Sequence, residues 1–375
     1  MTSVTLPPIE NNKVISKAIT FQNHSTPWEL TSLKLPVASP ESIVQPDQIL
    51  IKTAAVALNP VDILLRELTP RRFVGSSIKV AGADFSGTIL QIGSSVETDL
   101  KVGDKVFGNL LNPFSQNNSF TEYILQKNST FQVLQKVPEQ VSLVDAAGLG
   151  VVSNTSYQAF KGSKNLDGGN VLILGGGSSV GYFGIQWAKY FGAKNIVVTA
   201  SSSSSESALQ AGATQWIDYK KGKENEFKET KEIVQSIGKF DLIFDTIRDD
   251  TLHSHFCDIL KTKPEGGKLV IVAGSFSHAH APRYLDMVPS IRFVRTVVRS
   301  MIRFSSFDVE VLTCQYNKTY AEDFAKLASS GNLRIKTDSV FNFYTEYQEA
   351  YNKLRLDQAK GKIILTLGED AATNT

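Results

Sequence analysis

The sequence predicts an α/β protein of two domains, one rich in β-strands and one built on a doubly wound parallel sheet. Three observations lead to this prediction. The chain has 375 residues, enough for about two domains. Before residue 150, short β-branched runs are interrupted roughly every ten residues by glycine, proline or polar stretches, as in a small barrel or sandwich. After residue 150, short apolar runs alternate with helical stretches, as in βαβ units.

The first domain is predicted mainly from two strands. The segments 48–56 and 85–92 are rich in apolar and β-branched residues, which favours strands over helices. Residues 1–19 precede them, contain prolines and have no apolar block. We therefore expect residues 1–19 to form a loosely ordered N-terminal arm.

In the second domain, predicted strands and helices alternate. Strands are expected over 170–174, 196–199, 216–219, 240–245 and 268–273. Helices are expected from the turn at 175–181 to residue 191, and over 205–211, 223–236 and 251–261. Because these strands are apolar on both faces, we expect them to form a parallel, doubly wound sheet. Beyond it, the stretch 321–367 predicts a helix, a turn, a second helix over 344–355 and a final strand over 362–367.

The charge and cysteine counts exclude several classes of protein. Lys and Arg number 39 and Asp and Glu 37, so the formal net charge of +2 does not support a dedicated nucleic-acid binder. A hydrophobic content of 42% excludes global disorder. Two cysteines, Cys257 and Cys314, are too few for a disulfide framework or a four-thiolate zinc site. With no signal peptide and no run of about 18 apolar residues, a cytoplasmic protein is expected.

A glycine-rich turn, GGGSSVG over 175–181, follows the first predicted strand of the second domain. Such a turn directs backbone N–H groups and the positive end of a helix to one point, the usual site of a dinucleotide pyrophosphate. The G-x-G-x-x-G pattern requires glycine at 176, 178 and 181, but residue 178 is serine; a second alignment uses the glycines at 175, 177 and 181. Ser178 either weakens binding through its Cβ or contributes a hydrogen bond, and the alternative is a tight turn that binds nothing. The candidate cofactor-binding residues are Gly175, Gly176, Gly177, Ser178, Ser179, Val180 and Gly181.

The residues after the second predicted strand favour NADP(H) over NAD. Proteins that bind NAD place an acidic residue there, which binds the ribose 2′-hydroxyl. Here a serine run over 201–205 follows, and the first acid is Glu206. The hydroxyls of Ser201 and Ser202 can donate to a 2′-phosphate, although no arginine or lysine partner stands out. The alternative is a flexible serine linker.

Six motifs occur in the order in which one enzyme family carries them. They are NPVD at 59–62, GADFSG at 82–87, VGDKVFG at 102–108, TEY at 121–123, AAGL at 146–149 with TSY at 155–157, and GKIIL at 361–365. Together they resemble the zinc-independent quinone-oxidoreductase branch of the medium-chain dehydrogenase/reductase superfamily, and within it the fungal Yim-type proteins. The resemblance implies a GroES-like catalytic domain formed by 20–150 with 310–375, and an inserted NADP(H)-binding Rossmann domain over 151–309.

The resemblance also implies an activity and its residues. NADPH would lie in the cleft and deliver a hydride to a small-molecule substrate, a quinone or an α,β-unsaturated carbonyl. Asn59 and Thr155 would line the nicotinamide pocket as the candidate catalytic residues, and Tyr219 would approach the adenosine phosphate. Gly274 and Ser275 would lie beside the nicotinamide.

The chain departs from this family at several positions. Zinc-dependent relatives place Cys or His near the Asn59 turn and at the position of Gly82, Ala83 and Asp84; neither ligand is present, so zinc catalysis is excluded by residue type. Some members carry a tyrosine two residues after the acid of the NPxD turn. Here that residue is Leu64, and no general acid is evident. Asp62 is interpreted as a structural turn partner.

An arginine stripe covers residues 291–304, IRFVRTVVRSMIRF. If the stretch is helical, its four arginines fall within a narrow arc opposite an apolar face. One interpretation is peripheral contact with an anionic membrane or lipid droplet. The others are ordinary packing, or strand pairing across a homodimer. Nearby His278 and His280 lack a carboxylate pattern, and we interpret them as solvated rather than as metal ligands.

Two hypotheses follow. The first is an NADPH-dependent reductase of quinones or enones. The second is a non-catalytic protein on the same fold that senses nucleotide or associates with a membrane or lipid droplet, supported by Ser178, Leu64 and the arginine stripe. A lipid-droplet or mitochondrial-surface location is the alternative to the cytoplasm. No metal and no nucleic-acid partner is expected under either hypothesis.

Overall fold

The computed structural model describes residues 4–39, 41–67, 78–110, 118–247, 252, 254–272, 306–312, 315 and 319–368. The chain forms two compact units. The first comprises Met1–Val151, Tyr316–Ala321 and Ile335–Thr375, and the second comprises Val152–Gln315 and Glu322–Arg334.

The described strands and helices follow in chain order. The strands are β1 (Ile9–Glu10), β2 (Lys13–Phe21), β3 (Glu29–Pro36), β4 (Gln48–Leu58), β5 (Lys79–Val80), β6 (Asp84–Ile92), β7 (Lys105–Asn109), β8 (Tyr123–Lys127), β9 (Val133–Lys136), β10 (Asn170–Leu174), β11 (Asn195–Ala200), β12 (Gln215–Asp218), β13 (Leu242–Asp245), β14 (Lys268–Val272), β15 (Asp308–Leu312), β16 (Thr337–Asn342) and β17 (Lys362–Thr366). The α-helices are α1 (Pro60–Glu67), α2 (Leu143–Ala146), α3 (Gly150–Lys161), α4 (Ser179–Tyr190), α5 (Ser202–Ala211), α6 (Lys223–Ile237), α7 (Phe256–Ile259), α8 (Tyr320–Ser329) and α9 (Tyr347–Arg355).

The first unit contains two sheets. In the smaller one, β2 pairs antiparallel with β1, β3 and β5. The larger one has the order β16-β17-β4-β6-β7-β9, with β8 also paired to β4. The final strand β17 pairs with β4, so the C-terminal segment completes this unit. Its core includes Trp28, which contacts Phe120 edge-on and Tyr351 at ring-centroid distances of 5.7 and 4.7 Å.

The second unit is a parallel six-stranded sheet in the order β12-β11-β10-β13-β14-β15. Numbered within the unit, this is the strand order 3-2-1-4-5-6 of doubly wound dinucleotide-binding sheets. Every residue of β10 and β13 is buried, as expected for central parallel strands covered on both faces. The predicted α/β class, with a β-rich unit and a doubly wound parallel unit, is confirmed.

The chain returns to the second unit through residues 322–334, and Asp323 on α8 anchors this segment. Its carboxylate accepts hydrogen bonds from the phenols of Tyr157 and Tyr190 at 2.7 and 2.9 Å. The ammonium of Lys161 lies 2.9 Å from it as well. Burial alone would raise the pKa of Asp323, but these three hydrogen bonds outweigh burial and lower the pKa to about 2.

We expect Asp323→Asn to destabilise the second unit at pH 7 by about 2 kcal/mol, the free energy linked to lowering this pKa from 3.8 to about 2. Because the folded pKa lies below the unfolded one, this contribution is present above pH 4 and is lost as the pH falls toward 2. Denaturant unfolding at pH 7 and at pH 2 measures both effects. The exposed neighbour Glu322→Gln is the control. Equal unfolding midpoints for wild type and Asp323→Asn at pH 7 would contradict the expectation.

Several elements differ from the sequence-based expectation. Residues 13–21, expected to lie in the loose arm or just after it, form β2, whose first six residues alternate exposed and buried. Strand β16 was not predicted, because its residues are partly or fully exposed and give only a weak apolar pattern. The predicted boundary between residues 309 and 310 lies inside β15, all of whose residues pair with β14, so this strand belongs to the second unit. Within the described part of 251–261, Leu252 and Phe256–Ile259 are α-helical, and residues 254–255 form a turn rather than continuing one helix.

Candidate cofactor-binding site

The glycine-rich turn lies where β10 ends and α4 begins, and close backbone approaches explain its glycines. Gly175 has a φ of +85°, in the left-handed region that favours glycine. A Cβ on Gly181 would lie 2.2 Å from the carbonyl oxygen of Gly175. A Cβ on Gly176 would lie 2.7 Å from the Cβ of Val198 on β11. The turn is therefore held tightly against the ends of the two central strands.

Ser178 is the N-cap residue of α4. Its Oγ accepts a hydrogen bond of 2.9 Å from the backbone N–H of Gly181. The same Oγ lies 2.9 Å from Oγ1 of Thr246, which follows β13. The Ser178 hydroxyl is thus bonded within the protein, as expected for serine at a helix N-cap.

The next two residues leave their backbone N–H groups available. Those of Ser179 and Val180 make no hydrogen bond within the described part of the chain, and residues 177–180 are partly exposed. The first N–H groups of any helix lack an intrahelical partner, and they lie at its positive end. The start of α4 therefore offers two donors to an anion at the reversal of strand order between β10 and β13.

Two more predicted residues, and Tyr219 from the family resemblance, lie at the same edge of the sheet. Ala200, the last residue of β11, pairs in register with Asp218, the last residue of β12. Ser201 and Tyr219 each follow one of these paired residues, so they lie at the same height along the sheet edge. Ser202 is exposed and Tyr219 is 44% exposed, so both are accessible to a ligand.

Lys220 lies beside Tyr219 and was not among the cofactor-binding residues predicted from the sequence. It belongs to the short 3₁₀-helix Tyr219–Lys221 that follows β12, and it is exposed. Its ammonium forms no ion pair within the described residues, whereas that of Lys221 lies 3.2 Å from Glu229. A Lys-Lys pair directly after the third predicted strand was the available signal. Among the described residues, this edge therefore has serine hydroxyls, a phenol and the unpaired ammonium of Lys220, and no carboxylate directly follows β11.

In the first unit, Asn59 begins α1 and lies in a buried polar network. It is the residue before Pro60, and Asp62 reaches back to accept its backbone N–H at 2.7 Å, half of a capping box. The side-chain amide of Asn59 donates to Asp84 Oδ2 at 2.9 Å and accepts from Lys362 Nζ at 2.7 Å. Lys362 Nζ is also 3.0 Å from Asp84, and both side chains are at most 4% exposed. The structure thus joins three of the family motifs, NPVD, GADFSG and GKIIL.

Asp62 remains apart from the ion pair in this network. Its Oδ2 accepts the Asn59 N–H, while its Oδ1 is buried without a hydrogen-bond partner. Burial raises the pKa of Asp62 to about 8, against the backbone hydrogen bond from Asn59, and the charge of Asp84 adds to the increase. Burial therefore favours the neutral form of Asp62, and its hydrogen bond from Asn59 stabilises the start of α1 as a turn partner.

Comparison with known proteins agrees with this arrangement. Residues 45–137 match the family described as "Alcohol dehydrogenase GroES-like domain", and residues 179–313 match the family described as "Zinc-binding dehydrogenase". The chain belongs to the medium-chain dehydrogenase/reductase superfamily. The predicted GroES-like and Rossmann units are thereby confirmed.

Two curated relatives and a solved structure are similar to this chain over nearly its whole length. Protein YIM1-2 of Lachancea thermotolerans is 28% identical over 371 residues, covering 96% of this chain and 100% of the relative. Protein YIM1 of Saccharomyces cerevisiae is 27% identical, covering 94% and 98%. The quinone oxidoreductase from Coxiella burnetii is 25% identical with a TM-score of 0.71, covering 94% and 100%. The predicted resemblance to Yim-type and quinone-oxidoreductase-like proteins is confirmed.

The superfamily includes zinc enzymes, so the metal positions of this member are relevant. Where zinc-dependent relatives carry a ligand, this chain has Gly82, Ala83 and Asp84, and Asp84 is paired with Lys362. Within the described residues, no three His, Cys, Asp or Glu side chains lie close enough together to hold a metal ion.

Of the remaining predicted site residues, some lie among the residues that the structure describes and others do not. Thr155 lies on α3 in the second unit and is 3% exposed, whereas Asn59 lies in the first unit. Gly274, Ser275 and the arginine stripe at 291–304 lie outside the described residues, as do His278 and His280. No described helix has the length and apolar character needed to cross a membrane. Roles for these positions, and a membrane or homodimer contact through 291–304, stay predictions.

Proposed function

We propose that this protein is a zinc-independent, NADPH-dependent oxidoreductase that transfers a hydride to a quinone or an α,β-unsaturated carbonyl. One observation carries the proposal. The carboxyl edge of the parallel sheet combines three features: two N–H groups at the start of α4 that are unpaired within the described residues, serine hydroxyls with no acid directly after β11, and the ammonium of Lys220. The family also supports an oxidoreductase, since this fold holds a nicotinamide cofactor in its members.

The charges and donors at the end of β11 favour NADPH over NADH. A 2′-phosphate requires donors and positive charge, and an acid at the end of β11 would repel it. Ser201, Ser202 and Tyr219 supply hydroxyls at that edge, and Lys220 supplies an ammonium without an ion-pair partner among the described residues. A ribose 2′-hydroxyl would find no carboxylate acceptor directly after β11, so NADH would bind more weakly.

Hydride transfer from NADPH and the similarity to a quinone oxidoreductase both favour a quinone or an α,β-unsaturated carbonyl as the substrate. Bound NADPH supplies the hydride. The backbone N–H groups of Ser179 and Val180 would bind the pyrophosphate. The ammonium of Lys220 would bind the 2′-phosphate of the ribose. Leu64 stands where some members carry a tyrosine and no general acid is evident in the sequence, so the proton that completes reduction of a quinone would come from water. Support for a quinone also comes from the similarity to the quinone oxidoreductase of Coxiella burnetii.

We expect NADPH to bind at least about tenfold more tightly than NADH, and Lys220→Ala to weaken NADPH binding about tenfold, the value of one charge-assisted hydrogen bond. Ser201→Asp is expected to weaken NADPH binding more, because its carboxylate faces the phosphate. Fluorescence titration of the full chain measures these affinities. A second readout is NADPH oxidation with a panel of quinones and enals.

The matched control is Lys164→Ala, which removes the same charge before β10, at the opposite edge of the sheet. It should leave both affinities unchanged. Equal binding of NADPH and NADH would contradict the cofactor assignment. Binding of NADPH without oxidation by any quinone or enal would favour the non-catalytic, nucleotide-sensing hypothesis instead.

A further inference from the structure

A chain of hydrogen bonds with one fixed direction runs through the glycine-rich turn. Thr246 Oγ1 lies 2.8 Å from the carbonyl oxygen of Leu174 and 3.4 Å from that of Gly175. Because a carbonyl oxygen cannot donate, Thr246 donates its only hydrogen here, to Leu174 at the shorter distance. In the contact between Ser178 and Thr246, the hydrogen must therefore come from Ser178. Ser178 Oγ in turn accepts from the N–H of Gly181. The order is Gly181 to Ser178 to Thr246 to Leu174, and each hydroxyl donates once and accepts once.

This direction decides what Ser178 can do for a ligand. Its hydrogen is already donated to Thr246, so the hydroxyl has none to offer a phosphate. The N–H of Gly181 is occupied in the same way, which leaves those of Gly177, Ser179 and Val180 as the donors of the turn within the described residues. The side chain bonds within the protein, a third role beside the two expected from the sequence.

The relay also joins two strands that are adjacent in the sheet but far apart in sequence. Leu174, the last residue of β10, pairs in register with Asp245, the last residue of β13. Thr246 follows Asp245 directly, and Ser178 begins the helix that follows β10. The bonds thus connect the first turn of α4 to the end of β13, across the position where strand order reverses.

We propose that Ser178 and Thr246 act together as positioning residues for the cofactor pyrophosphate. They fix the first turn of α4 so that the N–H groups of Ser179 and Val180 point toward one place. A glycine at 178 has no side chain to form this relay, so this chain holds its turn by a bond that the glycine pattern lacks. The inference rests on the proposed function, since it concerns binding of the same nucleotide.

The test measures NADPH affinity for Ser178→Ala, Thr246→Val and the double variant, by titration at a temperature where circular dichroism shows each one folded. Each single change should weaken binding about tenfold, the value of a hydrogen bond of about 1.4 kcal/mol. Because both changes break one relay, the double variant should lose about tenfold as well, not the hundredfold of independent sites. The KM for NADPH should rise while kcat at saturating NADPH stays unchanged.

Conservative variants and a control separate positioning from folding. Ser178→Thr and Thr246→Ser each keep a hydroxyl and should retain wild-type affinity for NADPH. They can be measured even if Ser178→Ala or Thr246→Val does not fold. Ser329→Ala, at the end of α8, removes an exposed hydroxyl that donates to the carbonyl oxygen of Lys326, and should change nothing. Ser178→Gly restores the G-x-G-x-x-G pattern but should weaken binding.

The two ways of failing are distinguishable. If wild-type protein does not bind NADPH, the proposed function itself is wrong. If wild-type protein binds NADPH and Ser178→Ala or Ser178→Gly binds it equally well or better, the relay is not a positioning device and the inference is overturned. Independent losses in Ser178→Ala and Thr246→Val that multiply in the double variant would also overturn it.

Discussion

Lys362→Met is expected to lower the free energy of unfolding of the first unit by about 3–5 kcal/mol, the usual cost of removing one partner of a buried ion pair. The ammonium of Lys362 lies 3.0 Å from Asp84, whose side chain is fully buried. It also donates to the side chain of Asn59 and to the carbonyl oxygen of Leu58. Methionine fills a similar volume but leaves the Asp84 carboxylate without its counter-charge. Urea unfolding at pH 7 measures the loss.

The control for this change is Lys360→Met, two residues earlier in the chain and exposed. It should shift the unfolding midpoint very little, because an exposed lysine without an ion pair contributes little stability. Adding Asp84→Asn to Lys362→Met should recover part of the loss, since no uncompensated charge then remains. A Lys362→Met protein as stable as Lys360→Met would show that the ion pair does not hold these three motifs together.

Gly181→Ala is expected to abolish NADPH binding and to destabilise the second unit. The added Cβ would lie 2.2 Å from a carbonyl oxygen of the turn, a backbone atom that cannot rotate away. Since α4 is built directly on this contact, its first turn has to move and the N–H groups of Ser179 and Val180 lose their alignment. Titration with NADPH measures the loss, and thermal unfolding measures the strain.

The matched control is Gly162→Ala, which adds a Cβ in the same unit where the nearest atom, Nζ of Lys268, lies at an ordinary contact distance of 3.6 Å. It should bind NADPH as wild type does and unfold at the same temperature. Wild-type affinity in Gly181→Ala would mean that the turn is not where the cofactor binds. Lost affinity with an unchanged unfolding temperature would mean that the helix start adapts to the new Cβ without strain.

The second unit could be predicted well from sequence because local signals and tertiary structure agree there. Strand β10 has the bounds that its apolar run predicts, and α4 extends from the glycine-rich turn to Tyr190 with Gly192 just beyond its end. Strands of a parallel sheet are buried on both faces, so each one gives a continuous apolar run. The function of Ser178 could not be predicted, because Thr246 is 68 residues away.

The first unit was harder to predict for a related reason. Most of its pairings are antiparallel and distant in sequence, such as β17 with β4. Among the described strands, β16 pairs with β17 alone, and its residues are partly or fully exposed, so no apolar run identifies it. The network of Asn59, Asp84 and Lys362 combines residues from both ends of the chain. Family motifs indicated each of these residues separately, but only the fold brings them into contact.

The Asp323 anchor has a practical consequence for dividing this protein. The chain passes between the units after residues 151, 315, 321 and 334, so neither unit is one continuous stretch. A fragment covering 152–315 would lack α8, and the phenols of Tyr157 and Tyr190 would lose their shared acceptor. A self-sufficient nucleotide-binding fragment must therefore extend to residue 334 and include residues 316–321, although these belong to the first unit.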